Sequence, residues 1–384
     1  MNKYVIAIFF AIFFSFTKQL IIKNSSFEND YTTNKKKRAA FVENRISLTS
    51  TILKYSVDPL IDFIYVKVAL SILHRKTCFV FYRVLDPRKA MFYFKYGNPD
   101  NSPSQNKEKT QEIITMGTRK PEKSRVIREL LLRLGIDYEH NRFDRDAYVT
   151  VYHRDIKSKY KHLFTRKPYH VASSFELGYD YRSLMHIGKH DFAKERKVSI
   201  EAKENLMDVG MGYAKKPTFN DIKLVNRRFC WSRCKKKLQC LNYGYTDPNN
   251  CKRCICLKFF YGTFCEYFAP NSYLLCHRYN HFKSSSKMQS VTILLHGDCH
   301  YFFTAKKGKR VLLKVTKNRP RWYYGCGGFD EFIEVRYKKD KSVSGPLVCP
   351  YWSTLELISE EHVVIVDTKY RKEKYLLHLE YKEI

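Results

Sequence analysis

The rhythm of hydrophobic and polar positions changes three times along this chain. In ILKYSVDPLIDFIYVKVALSILHRKTCFVFYRV, from Ile52, it predicts a strand and a turn at Asp58-Pro59. A helix follows with apolar residues near 3.6 spacing at Ile64, Val68, Leu70 and Ile72, and then a strand through Cys78 to Phe81. The polar stretch between Gly97 and Gly117 reads as a long loop, with EIITM as a strand at its end. A second helix is predicted from Ser124 to Leu134, with Ser124 as its cap and Gly135 closing it. From Tyr273 onward, SVTILLH, RVLLKVT, FIEVRY and HVVIVDT alternate between turn signals, the pattern of a β-sandwich.

The chain has 384 residues, too many for one typical domain of about 150 residues. With 44% hydrophobic and 15% aromatic residues it has enough apolar surface to fold. Lys and Arg number 70 against 38 Asp and Glu, a net charge of +32. Such a surface attracts polyanions in a salt-dependent way. Tyr4 to Phe16 is an unbroken apolar run after Lys3, interrupted early by Lys18 and short of the roughly 20 residues that span a membrane. It therefore reads as a secretory signal peptide over 1–19. Export excludes nucleic acid as the natural partner, leaving extracellular proteins or peptides, acidic glycans and anionic surfaces, with no membrane span beyond the signal.

Twelve cysteines suit an exported chain. Only Cys78 lies in the first half; the rest run from Cys230 to Cys349. Cys234, Cys240, Cys251, Cys254, Cys256 and Cys265 crowd one short span that must depend on bridges for its fold. The basic cluster Lys35, Lys36, Lys37 and Arg38 precedes small residues and reads as a processing site. Asn24-Ser25-Ser26, a glycosylation sequon, falls in the segment that processing removes.

The helix RELLLRLG and the following IDYEHNRFDRDAYV, from Arg128, resemble the extended signature of the astacin family, in which three histidines bind zinc and a glutamate activates its water. SLMHIGKHDF is similar to that family's Met-turn, with Met185 beneath the metal, and PTFNDIKLVNRRFC to its closing helix. FEND, ending at Asp30, resembles the inhibitory propeptide switch, and RAAF the mature amino terminus. The resemblance implies an α+β fold: a two-lobed metzincin-like peptidase domain over 39–230 after a propeptide over 20–38. A small disulfide-rich EGF-like module over 231–267 and an all-β CUB sandwich over 273–384 complete it.

It implies Glu129 as the general base position and a salt bridge between Ala39 and Glu139. It also implies bridges Cys78–Cys230, Cys234–Cys251, Cys240–Cys254, Cys256–Cys265, Cys276–Cys299 and Cys326–Cys349. Asp330 matches a CUB position associated with calcium, without recognisable acidic partners.

Where zinc's imidazoles belong stand Arg128, Leu132 and Tyr138, and Ile187 replaces the Met-turn tyrosine. No cofactor is expected, zinc being required only if the family activity persists. His186 and His190, four apart, are weighed as substitute ligands and set aside because they do not lie on one helix. The reading is a secreted, extracellular pseudopeptidase that binds proteins or polyanions. An active zinc endopeptidase with substitute ligands, and an adhesive or matrix protein acting through its CUB domain, are the alternatives.

Overall fold

The computed structural model describes residues 48, 50–99, 111–169, 174–317, 331–348 and 354–384. The chain divides into two units, Met1–Arg38 and Ala39–Ile384, and every described residue lies in the second. The signal and propeptide, Asn24, Asp30, Ala39, Cys326, Asp330 and Cys349 lie outside the described residues.

A parallel sheet forms the first layer, with β1 (Ile52–Val57), β2 (Val80–Arg83), β3 (Phe92–Tyr96) and β4 (Glu112–Met116) in the order β2-β1-β3-β4. Helix α1 (Phe63–Lys76) links β1 to β2, and Asp62 caps it by accepting from the Ile64 amide. The buried face of α1 is Val66, Ala69, Leu70 and Leu73, an i, i+3, i+4, i+7 stripe. Ile64 and Val68, read from the sequence as part of the apolar face, are instead 46% and 37% exposed. The helix has two neighbouring apolar stripes, and only tertiary packing in the shared core decides which one is buried.

Helix α2 (Lys123–Arg133) lies on the same core, burying Val126, Ile127, Leu130 and Leu131 with Leu53, Phe92, Phe94 and Ile114. Ser124 is not its cap. It sits inside the first turn and donates to Glu122, which occupies the cap position. At the other end Gly135, with φ +85°, takes the left-handed conformation. Its amide donates to Leu132 O at 3.0 Å, and that of Ile136 to Leu131 O at 2.9 Å. This paired closure favours glycine, because a Cβ in that conformation crowds its own carbonyl.

Beyond the core lie the short pair β5 (Val149–Val151) and β6 (Ile200–Ala202), then helix α3 (Phe219–Val225), closed by a Thr218/Asp221 capping box. Cys78–Cys230 ties the end of this region back to β2. The next segment holds the bridges Cys234–Cys251, Cys240–Cys254 and Cys256–Cys265 around two hairpins. These are β7 (Tyr245–Asp247) with β8 (Asn250–Ile255), and β9 (Phe260–Tyr261) with β10 (Tyr267–Phe268). Phe259 and Phe260 pack there against Phe302 and Ile365.

The carboxyl-terminal region is β-rich. Its strands are β11 (His281–Lys283), β12 (Gln289–Thr304), β13 (Val311–Lys317), β14 (Phe332–Arg336), β15 (Thr354–Ile358) and β16 (Val363–Glu383). Cys276–Cys299 staples the start of this region to β12. The two long strands pair with each other through a register shift between Leu295 and Gly297. One half of β16 carries β13 and the other carries β14. Side chains from both halves, among them Ile293, Leu379, Phe303 and Val364, share one core.

Gly135→Ala should lower stability by about 1–2 kcal/mol, the cost of the left-handed conformation for a residue with a Cβ. Gly135→Asn should lose less. Thermal unfolding followed by near-ultraviolet circular dichroism checks this; equal melting temperatures for all three proteins would remove the role of the α2 closure.

Candidate functional site

Three elements converge on the turn Ser183–Ile187. From α2, the Arg128 Nε donates to the Leu184 carbonyl at 2.8 Å. The cap of α3 contributes Asp221, whose carboxylate accepts from Ser183 Oγ at 2.6 Å and from the Leu184 amide at 2.8 Å. From the segment after α2, the Glu139 amide donates to Met185 O at 2.9 Å. Met185 itself is 2% exposed and lies in the core with the α2 leucines. The turn is thus fastened on three sides by the protein's own groups.

A cleft opens beside it, lined by Arg125, Arg128, Glu129, Tyr138, Asp191 and Tyr213, among others. Glu129 has no hydrogen bond or ion pair among the described residues, and burial raises its carboxyl above the usual range against the pull of Arg133, Arg125 and Arg128. Leu132 is partly buried against the core. Tyr138 stacks on His140 with ring centroids 5.1 Å apart, and burial, reinforced by the Glu129 charge, holds its phenol strongly protonated. Arg128, Leu132 and Tyr138 therefore offer a guanidinium, a hydrocarbon and a neutral phenol. Zinc takes imidazole, thiolate or carboxylate, so this donor set does not fit the metal. Among the described residues no three His, Cys, Asp or Glu side chains are grouped as ligands.

His186 and His190 do not form a pair. His186 is fully buried, with Nε2 2.7 Å from Tyr179 Oη and Nδ1 2.7 Å from Ile187 O, whereas His190 is exposed and faces Lys197 O at 2.9 Å. Ile187 is 1% exposed in the lower core. Burial pushes His186 down to about 4 and His140 well below its ordinary value.

Behind the turn is a second pocket, of whose lining the sequence reading named Tyr138 and Glu139. Glu139, Asp180 and Asp221 line it, with Arg142 and Asn220. Arg142 Nη1 lies 3.0 Å from Glu139 Oε1, which also accepts the Asp180 amide at 3.0 Å. Arg142 forms a bidentate pair with Asp144 at 2.9 and 2.8 Å. Burial pushes Glu139 up to about 7 against Arg142, and Asp180 up to about 6 with help from Asp221. Asp221 is raised too, by burial. The Asn220 amide is buried with neither polar atom paired. The T-x-x-D spacing of Thr218 and Asp221 was the one local signal for this part of the pocket. Asp180 carried none, because its role depends on segments distant in the chain.

Residues 53–230 match the model of the Astacin peptidase family. The chain is 25% identical over 353 residues to zinc metalloproteinase nas-29 of Caenorhabditis elegans, covering 88% of this chain and 65% of the relative. It is 27% identical over 259 residues to nas-34 of the same organism, covering 67% of this chain and 42% of that protein. The chain thus spans about two fifths to two thirds of the length of these curated relatives. Among solved structures, the hatching enzyme zinc-protease HCE-1 of Oryzias latipes aligns with 47% of this chain and 92% of its own, at 20% identity and a TM-score of 0.41.

The raised acids give a pH signature. Between about pH 4.5 and 7 the folded chain holds protons on Glu139 and Asp180 that the unfolded chain has released, so their contribution to stability falls as pH rises. The buried histidines act oppositely below about 6.5, since the unfolded chain binds their protons more readily. The acid effect is read by difference. In the unprocessed chain, the melting temperature of the parent relative to Glu139→Gln should fall from pH 4.5 to 7; parallel curves would contradict the burial of this acid.

Proposed function

We propose, from the match of residues 53–230 to the astacin family model, that this chain is an astacin-like protein that keeps the peptidase fold without the hydrolytic chemistry. On this reading it is secreted and acts by binding extracellular proteins or polyanions. The observation that carries the reading is the donor set: the Arg128 guanidinium is fastened to Leu184 O, and Leu132 and Tyr138 supply no metal ligand in its place. A peptide bond resists water at neutral pH unless the water is activated and the developing oxyanion stabilised. Glu129 could accept a proton, but no group beside it acidifies the water.

The segments 231–267 and 273–384 are read as EGF-like and CUB-like modules. The three bridges and two hairpins support the first, and the strands sharing one core support the second. No helix among the described residues is long and apolar enough to cross a membrane.

The Glu139 pocket supports cleavage after Arg38. Four acids, Asp137, Glu139, Asp180 and Asp221, line it against Arg142 and Lys167, which leaves room for a further cation, and the ammonium of a chain beginning at Ala39 is suited to that place. Amino-terminal sequencing of the secreted protein should begin at Ala39. A start well upstream would overturn this, and breaking such a buried pair from one side by Glu139→Gln should cost the processed protein about 3–5 kcal/mol.

Purified protein should cleave neither gelatin nor casein above the level of its Glu129→Gln variant. Arg128→His, Leu132→His and Tyr138→His together should restore zinc binding, whereas each alone should not, since one imidazole cannot fix the ion. Turnover by the unaltered chain that disappears in Glu129→Gln would establish an active endopeptidase instead.

A further inference from the structure

A wide groove runs where the segment before α3, the bridged segment and β14 meet; nine of its lining residues are Lys or Arg and three are Asp or Glu. Most of these cations are paired. Glu334 holds Arg182 at 2.8 Å and Arg336 at 2.9 Å, and Asp247 holds Arg253 at 3.0 Å. Asp367 holds Lys258, and Glu122 holds Lys215 at 3.3 Å. Arg75, Lys76 and Lys216 are different: among the described residues none of them pairs with a carboxylate.

These three come from distant parts of the chain, the last turn of α1 and the segment before α3, yet they lie close together. Burial, then repulsion from Lys216 and Arg75, pulls the Lys76 ammonium below its usual range. Folding has gathered like charges at the edge of a cavity without supplying a counter-ion, an arrangement that stores repulsion until an anion relieves it. Tyr213, 60% exposed, lines the same groove, and with Ala214 and Lys215 it also lines the cleft beside Glu129, so the two adjoin the same segment.

We propose that this groove binds an acidic polysaccharide, with Arg75, Lys76 and Lys216 contacting its sulfate or carboxylate groups and the Tyr213 ring lying against a sugar face. A linear glycan presents anionic groups at intervals along an otherwise uncharged chain. It therefore suits cations grouped beside an exposed ring, whose apolar face can cover the C–H face of a pyranose. The inference rests on the polyanion-binding part of the proposed function and locates it.

The test uses the full chain, a heparin-derived oligosaccharide and the variant Arg75→Gln/Lys76→Gln/Lys216→Gln. The comparison is Lys307→Gln/Lys309→Gln/Arg310→Gln, which removes the same charge from an exposed loop elsewhere. Three solvent-screened ion pairs are worth about tenfold in affinity. The groove variant should lose about that much by calorimetry and leave a heparin column at lower salt, while the comparison should change by less than about twofold. Lys216→Gln alone, at an exposed position, should show a partial loss and keeps the test valid if the triple variant does not fold. Equal losses in both triple variants would overturn the groove as the site and leave polyanion binding standing. No binding by the unaltered chain at low salt would overturn polyanion binding itself. Displacement by poly-glutamate as readily as by the oligosaccharide would overturn the glycan assignment in favour of an acidic peptide.

Discussion

The hydrogen bond from Arg128 to the Leu184 carbonyl joins the helix of the cleft to the turn beneath it, and much of the site's geometry depends on that join. In a zinc peptidase of the astacin kind the metal ties this helix to the chain beyond it. Here Arg128, Asp221 and the Glu139 amide perform the fastening from three elements. A hydrogen bond to a charged group contributes roughly 1.5–3 kcal/mol, enough to hold a turn whose Met185 is already buried in the core.

Positive charge gathers at the cleft. Arg125, Arg128 and Lys215 line it, and the neighbouring groove adds Arg75, Lys76 and Lys216. Together these six cations form part of a broad basic surface. That accords with the +32 net charge of the chain. Behind Tyr138, which lines the cleft, the rings of His140, Tyr179 and His186 pack together, and burial keeps both imidazoles neutral.

Local signals carried much of the fold. The strand-helix-strand unit, α2 with its glycine closure and the strands after Tyr273 were readable because each depends on periodicity or a positive φ. Ile64, Val68, Leu70 and Ile72 announced α1 by their spacing but not its buried face, which only tertiary packing chooses. Ser124 was misjudged as a cap because its hydroxyl bonds to Glu122 within the first turn. At the site, Arg128, Leu132 and Tyr138 were named from the resemblance to the astacin signature, whereas the Asp180–Glu139–Arg142 network and the Arg75–Lys76–Lys216 cluster bring together residues far apart in sequence. No one-dimensional pattern announces such contacts.

The central claim is that protein hydrogen bonds around Arg128 stand where a metal would, and the metal content of the purified, unaltered chain tests it most directly. Elemental mass spectrometry should find zinc far below one ion per chain, even after incubation with zinc and removal of the excess. One tightly held zinc per chain would contradict the account.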